Sequence, residues 1–122
     1  MIDKLKQYQN AIDESNIVSK TDINGVITFA NDEFCKISGY SREELIGSSH
    51  NIVRHPDVSK SVFKKLWDTI LAKKVYKGII KNRAKDGSAF YLKATIIPIL
   101  YPNGDIEEFV AIRQDVSEIV IL

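Results

Sequence analysis

The sequence of 122 residues predicts an α+β domain, in which short helices and one longer helix cover one face of a five-stranded antiparallel sheet. Three patterns favour this class. Two β-rich runs flank Asn24-Gly25, a segment with helical periodicity follows near the middle of the chain, and apolar and polar residues alternate from Val75 onward. The early and late strands must share one sheet to cover their apolar faces, so a single core is expected.

Composition limits the class of protein. Apolar residues make up 44% of the chain, and 17 Lys and Arg against 16 Asp and Glu leave a net charge of +1, which argues against nucleic acid as a partner. The longest apolar stretch, 94–101, is far shorter than the roughly 20 residues of a membrane-spanning helix, so no membrane insertion is expected. The single Cys35 and the polar N-terminus favour a cytoplasmic protein, and the terminal run IVIL is also compatible with a piece of a larger chain.

The chain begins with a predicted amphipathic helix over residues 2–14, which we expect to pack on a partner. Its apolar side chains recur at helical spacing among Lys, Gln and Asp residues: Ile2, Leu5, Tyr8 and Ile12. Residues 1–16 are therefore assigned to an N-terminal helical segment. Next, Asn24-Gly25 supplies the positive φ angles of a tight turn, which predicts a hairpin.

Two short helices are predicted after this hairpin. Asp32 and Ser41 are favourable N-cap residues, and Ser41 followed by Glu44 has the spacing of a capping box. Gly39 and Gly47 provide residues that close the two segments.

The clearest helix spans 59–74 and carries its apolar side chains on one face, with Lys and Asp on the other. The apolar set is Val62, Phe63, Leu66, Trp67, Ile70 and Leu71.

Three strands of an antiparallel meander follow over 75–83, 89–100 and 106–116, separated by turns at Asp86-Gly87 and Asn103-Gly104. A final helix is predicted to begin at Glu118, capped by Ser117 or Asp115. We therefore assign 17–117 to the main domain and 118–122 to a C-terminal signalling helix or linker.

Several motifs carry a family resemblance across essentially the whole chain. The runs GVITFAND, ISGYSREELIG, RAKDG and AIRQDVSE resemble the PAS sensory domain family. The runs HNIVRHPD, LWDTI, GIIKNRAKDG and KATIIPI are similar to the PAS domains of Aer-type aerotaxis receptors, which bind FAD non-covalently. The resemblance implies the PAS fold, a pocket between the inner face of the sheet and the short helices, and a sensor that reports redox, oxygen or energy state to an output module such as a chemotaxis transducer.

The segment 49–57 contains both histidines of the chain. On a regular helix His50 and His55 would project roughly 140° apart, so they could not chelate one metal ion, and no further ligand lies at zinc-site spacing. The nearby serines are better explained as loop residues and caps than as nucleophiles. Neither a metal site nor an enzyme is favoured.

A ligand clamp matches the same segment better. Arg54 and His55 offer donors to diphosphate or ribose oxygens, and Asn51 both donates and accepts. Pro56 biases His55 away from helical geometry, and Asp57 is expected either to cap the next helix or to pair with Arg54. From the residues alone a solvated loop is the favoured interpretation, and the family resemblance reverses this preference in favour of the clamp.

The resemblance also implies binding residues in other elements. Phe63 and Trp67 are core residues by type, and in an Aer-like domain their helix face also walls the flavin ring. Asn82 is expected in an inner strand, where a flavin edge would partner its carboxamide. Tyr76 stands in VYKG where Aer-like domains usually carry the Trp of PWSG. The expected FAD-binding set is His50, Asn51, Arg54, His55, Asp57, Phe63, Trp67, Tyr76 and Asn82.

Other interpretations stay open beside the FAD sensor. A PAS module without cofactor, serving as a dimerisation or relay element or binding a small metabolite, is favoured by the amphipathic first helix and by Tyr76. Haem with His50 or His55 as axial ligand ranks below FAD because the long helix has no histidine of its own. Cys35 lies outside the segment in which light-sensing relatives carry their adduct-forming Cys, so it is expected to be a small core residue. A homodimer is expected.

Overall fold

Helices and strands follow one another in the predicted order in a computed structural model that describes residues 3–121. The elements are α1 (Lys4–Ser15), β1 (Ile17–Thr21), β2 (Ile27–Ala30), α2 (Asp32–Ser38), α3 (Arg42–Leu45), a 3₁₀ helix (His50–Val53), α4 (Lys60–Leu71), β3 (Tyr76–Arg83), β4 (Ala89–Leu100), β5 (Ile106–Asp115) and α5 (Ser117–Ile121).

The two groups of strands form one five-stranded antiparallel sheet in the order β2-β1-β5-β4-β3, which confirms the α+β class. Strand β5 joins the groups because it pairs with β1 on one side and β4 on the other. Strand β3 is an edge strand, so the expectation that Asn82 occupies an inner strand is wrong. Asn82 is nevertheless buried, because Arg54 bridges to it across the outer edge of β3.

The short helices are capped largely as predicted. The capping box of Ser41 and Glu44 is present, and Gly39 ends α2 at a φ of 75°. The N-cap of α2 is Asn31 rather than Asp32, because the Asn31 carboxamide oxygen accepts from the Phe34 amide at 3.1 Å.

The first hairpin turn is wider than the Asn24-Gly25 dipeptide predicts. Only Gly25 of the pair has a positive φ, and residues 22–26 separate the two strands. The carboxylate of Asp22 accepts from the amides of Asn24 and Val26. These side-chain hydrogen bonds stabilise a longer loop in place of the compact two-residue turn.

Helix α4 packs on the inner face of the sheet through Leu66 and Ile70, which form one core cluster with Phe109. Leu71 was expected on the same apolar face but is 48% exposed, since it lies at the end of the helix. A second cluster lies under the short helices around Phe34 and Leu45. A cavity lies between the sheet and these helices.

The terminal helices lie outside the core. None of the residues of α1 is buried, and its described apolar side chains are exposed: Leu5, Tyr8 and Ile12. The Asn31 carboxamide nitrogen donates to the carbonyls of Asp13 and Asn16, which holds the end of α1 against the domain. At the other terminus, the Asp115 carboxylate accepts from the Ser117 amide and caps α5. Ile2 and Leu122 lie outside the described residues.

No helix within residues 3–121 has the length and apolar character needed to cross a membrane.

Candidate ligand-binding site

A cavity of about 330 Å³ lies between the inner face of the sheet and the helices that cover it. Its floor comes from strands β1, β3, β4 and β5, and its roof comes from α4, the 3₁₀ helix and the loop that carries Gly25. This is the pocket position that the resemblance implied.

Small residues create the space above the floor. Ala94 on β4 lies opposite Arg113 on β5 and Gly78 on β3, and Ala111 is two residues before Arg113 on the same face. Ala94 and Ala111 are buried and line the cavity. Larger side chains at these positions would fill the room that a ligand needs.

Aromatic side chains of α4 form much of the roof. The Arg54 guanidinium lies over the Phe63 ring at 4.1 Å from its centroid, a cation–π contact that holds Arg54 beside the cavity. The Trp67 ring meets Phe109 edge to face with centroids 5.8 Å apart. Gly25 touches the same indole so closely that a Cβ built at Gly25 would lie 2.9 Å from a Trp67 ring atom.

His50 and Arg113 meet inside the cavity. Nη2 of Arg113 lies 2.8 Å from Nε2 of His50, and the Ser19 hydroxyl is 3.4 Å from the same nitrogen. Because a guanidinium only donates, Nε2 of His50 must accept, which leaves the imidazole neutral with its proton on Nδ1. Burial, with the charge of Arg113 second, lowers the pKa of His50 to about 3. Burial also lowers the pKa of Arg113 to about 10, which still leaves this group positive at neutral pH.

Asn82 presents a polar group at the other side of the floor. It is 8% exposed, and within residues 3–121 its carboxamide makes a single long hydrogen bond, 3.5 Å from Nδ2 to the carbonyl of Ile80. A buried carboxamide has two donor hydrogens and an acceptor oxygen to satisfy. Most of its hydrogen-bonding capacity is therefore available to a ligand.

The structure brings six of the nine expected binding residues together around the cavity. These are His50, Asn51, Arg54, Phe63, Trp67 and Asn82. The other three, His55, Asp57 and Tyr76, do not line it.

Asp57 performs neither of the two roles expected from the sequence. The N-cap of α4 is Ser59, and the Asp57 carboxylate is 2.8 Å from Nζ of Lys81 on β3 rather than paired with Arg54. This hydrogen bond with Lys81 lowers the pKa of Asp57. His55 accepts from the Asp57 amide at 3.0 Å through Nδ1, so this short stretch of chain is fastened to the edge strand next to the cavity.

Tyr76 packs at the periphery of the α4 cluster. Its hydroxyl lies against Gly78, where a Cβ would come within 2.9 Å of it. The ring therefore lies along β3 on the inner side of the sheet, next to the cavity lining without joining it.

Sequence reasoning missed Arg113 and Ser19. Both are buried and both line the cavity. A signal for Arg113 was present, because it continues the inward-facing alternation of Phe109 and Ala111 and places a cation on an apolar face.

The lining is cationic. Arg54 and Arg113 both contribute to it, and within residues 3–121 no Asp or Glu side chain does. The described residues also contain no group of three or more His, Cys, Asp or Glu side chains arranged to hold a metal ion. The two cations of the lining suit a ligand with electron-rich oxygen or nitrogen atoms.

Comparison with known proteins identifies the family. The family model described as PAS fold matches residues 27–113. The aerotaxis receptor of Escherichia coli strain K12 is 40% identical over 106 residues, which make up 87% of this chain and 21% of that protein. The nitrogen fixation regulatory protein of Klebsiella pneumoniae is 30% identical over 100 residues, 82% of this chain and 20% of that protein.

A solved structure agrees with these relatives. The crystal structure of the PAS domain of a protein from Colwellia psychrerythraea superposes with a TM-score of 0.86 at 25% identity, covering 95% of this chain and 99% of that one. The chain spans about a fifth of the length of the two curated relatives, which are named as a receptor and a regulator, as expected for a sensory domain rather than an enzyme. The resemblance predicted from the motifs is confirmed, and the chain belongs to the PAS fold family.

Proposed function

We propose that this chain is a cytoplasmic sensor domain that binds FAD non-covalently in the cavity and reports its redox state, and through it oxygen or energy state, to an output module such as a chemotaxis transducer. The observation that carries the proposal is a cavity lined by two polar groups whose hydrogen-bonding capacity is largely unused within residues 3–121. They are the Asn82 carboxamide, which makes one long contact with the Ile80 carbonyl, and Nη1 of Arg113, which is buried without a partner. The resemblance of HNIVRHPD to FAD-binding PAS domains supports FAD as the ligand.

The residues present fit this ligand. A volume of about 330 Å³ is at the lower end of the roughly 300–1,000 Å³ typical of ligand pockets, which suits the ring system of FAD rather than the whole dinucleotide. Phe63 and Trp67 would wall the ring, while Asn82 and Arg113 would bind its polar edge. The diphosphate and ribose would lie towards the exposed lining residue Asn51, with the Arg54 guanidinium as a charged donor.

The three expected residues outside the lining keep supporting roles in this proposal. His55 and Asp57, fastened to Lys81, hold Arg54 in its bridge to Asn82. Tyr76 braces the inner side of β3 next to Gly78.

A signal would leave through β3 and the rest of the sheet. FAD supplies a ring whose hydrogen-bonding groups change when it takes up electrons and protons. The Asn82 carboxamide can present either a donor or an acceptor, so it can turn in response and alter its contact with the edge strand. A preference of a few kcal/mol between two arrangements is typical for such coupling. Strand β3 pairs with β4, and β4 pairs with β5, which leads into α5. Strand β5 also pairs with β1, which follows α1.

An absorption spectrum of the purified protein tests this proposal. Bound flavin gives bands between roughly 350 and 500 nm, and heating releases free flavin that can be identified as FAD. A colourless protein that stays colourless after incubation with FAD would refute the sensor proposed here. The same spectrum distinguishes haem, which is less favoured because Nε2 of His50 already accepts from Arg113.

A second candidate function is a homodimeric relay module without cofactor. It is favoured by α1, whose apolar side chains Leu5 and Tyr8 are 70% and 61% exposed. Burying such a stripe against a second copy would stabilise a dimer. Size-exclusion chromatography of the chain with and without residues 1–14 tests this candidate. Loss of a dimer on deletion, with no ligand found by mass spectrometry, would favour the relay module over the FAD sensor.

A further inference from the structure

Arg113 is a buried cation without a countercharge. The residue is 5% exposed, and no ion pair among the described residues includes it. Its Nη1 is buried and has no hydrogen-bond partner within residues 3–121. Burying an unpaired charge is costly unless a partner compensates it, so this arrangement requires an explanation.

The side chain is held firmly in place by neutral groups. Its guanidinium lies 5.1 Å from the centroid of the Phe34 ring, and Nη2 donates to Nε2 of His50. Neither contact neutralises the charge, because the imidazole is itself uncharged. The protein thus orients the guanidinium and leaves the second terminal nitrogen unused.

The surroundings show where a compensating group would sit. Arg113 lines the cavity, and its neighbour in the sheet register is Ala94, whose small side chain leaves the space beside the guanidinium open. Arg54, the other cation of the lining, is only partly buried and stacks on Phe63. Arg113 is therefore the deeper of the two charges and the one that faces the inner end of a bound ligand.

We propose that Arg113 is the residue that makes the site prefer the reduced, negatively charged form of its flavin over the oxidised, neutral form, with Nη1 donating to an electronegative atom on the polar edge of the ring. This inference rests on the function proposed above. A ring that takes up two electrons and one proton carries one net negative charge, and a buried guanidinium at its edge compensates that charge. His50 acts as a positioning residue, since it touches Arg113 and holds it.

Reduction of the FAD-loaded protein with dithionite, in the presence of a reference dye of known potential, tests the proposal. Dithionite supplies the electrons and water supplies the proton. We expect the preference for reduced over oxidised FAD to be about tenfold weaker in Arg113→Met than in the wild-type protein. This change lowers the two-electron midpoint potential by about 30 mV. Arg113→Lys keeps the charge and should retain most of the preference. Arg83→Met is the matched control, because it removes an exposed Arg from the same sheet.

The outcomes separate this inference from the function on which it rests. A wild-type protein that binds no FAD overturns the proposed function. A wild-type protein that binds FAD, together with an Arg113→Met protein of unchanged midpoint potential, overturns the role of Arg113 alone. Equal losses in Arg113→Lys and Arg113→Met would also overturn it, since they would show that shape rather than charge sets the preference. If the Met variant does not fold, as judged by its melting curve, Arg113→Gln is the neutral replacement, since its amide can still donate to His50.

Discussion

Nε2 of His50 lies 2.8 Å from Nη2 of Arg113, so a neutral imidazole and a guanidinium share one hydrogen bond beside the cavity. Since the guanidinium can only donate, this distance fixes the tautomer of the histidine. The pair also links the 3₁₀ helix of the roof to the central strand of the floor.

The tautomer can be tested directly. Nitrogen-15 NMR should show His50 protonated on Nδ1, and the ring should stay neutral from pH 8 down to pH 5, since its pKa is lowered to about 3. In Arg113→Met the pKa of His50 should rise, because the nearby positive charge is gone. A wild-type His50 that becomes protonated near its usual pKa of 6.5 would contradict a neutral imidazole that accepts from Arg113.

His50 should also make the fold sensitive to acid. Between pH 6.5 and about 3 the unfolded chain binds a proton at His50 that the folded chain does not, so the free energy of unfolding falls as the pH falls through this range. The contribution reaches at most about 1.4 kcal/mol per pH unit. Urea denaturation at several pH values should therefore give a shallower pH dependence for His50→Gln.

The comparison of slopes isolates the histidine. Exposed carboxylates whose pKa values are lowered by a hydrogen-bonded cation, such as Asp57 beside Lys81, add acid sensitivity to both proteins alike. Identical slopes for wild type and His50→Gln would refute the assignment.

Gly25→Ala should destabilise the protein and narrow the cavity. The new Cβ would meet a Trp67 ring atom at 2.9 Å and would also require an L-residue at a φ of +81°. Gly87→Ala is the matched control, since Gly87 has a φ of +91° but nothing within 4 Å of its added Cβ. Strain in φ costs roughly 1–2 kcal/mol in either variant, and the contact should cost Gly25→Ala about 1 kcal/mol more in urea denaturation. Equal losses would mean that the indole moves aside freely.

Ala94→Ile should weaken ligand binding and keep the fold. The larger side chain would occupy the space above the floor, because Ala94 is buried and lines the cavity. Affinity for FAD, measured by fluorescence quenching, should fall by at least about tenfold. The matched control is Ala89→Ile, an exposed position at the start of the same strand, where affinity should stay unchanged. Full affinity in Ala94→Ile would place the ligand elsewhere.

Asn31→Asp should release the end of α1. The aspartate keeps the oxygen that accepts from Val18 and Phe34 but loses the nitrogen that donates to the carbonyls of Asp13 and Asn16. The buried carboxylate of the variant would face two carbonyl oxygens, which should lower the free energy of unfolding by about 2 kcal/mol. The amide hydrogens of α1 should also exchange faster. The exposed Asn10→Asp in α1 is the control. Unchanged exchange would show that other contacts secure the helix.

Local signals predicted most of the fold. Ser41 and Glu44 have the spacing of a capping box, a contact between residues three apart that a local pattern can predict, and the box is present. The turns at Asp86-Gly87 and Asn103-Gly104 separate strands whose bounds differ little from expectation. The N-cap of α2 shows the limit of such reasoning. Asp32 and Asn31 are equally good caps locally, and Asn31 is used because only an amide can also donate to the two carbonyls beside α1.

The site was less predictable because its contacts are distant in sequence. The position of β3 at the edge depends on pairings between remote strands, which no local pattern encodes. Asp57 lies three residues from Arg54, yet its partner is Lys81, which the fold brings alongside. Arg113 can be predicted as a pocket residue only when it is known which face of the sheet the helices cover, because the alternation along β5 then places its side chain on that face.

The outer edge of β3, which is bridged by Arg54 only at Asn82 among the described residues, has a consequence for solubility. Alternate residues of this strand project from the uncovered side of the sheet: the cations Lys77 and Arg83, the exposed Ile79, and Lys81, whose charge is paired with Asp57. If two molecules aligned these edges, the like charges of Lys77 and Arg83 would be brought together near the exposed Ile79. The strand thereby discourages the edge-to-edge stacking from which fibrils grow.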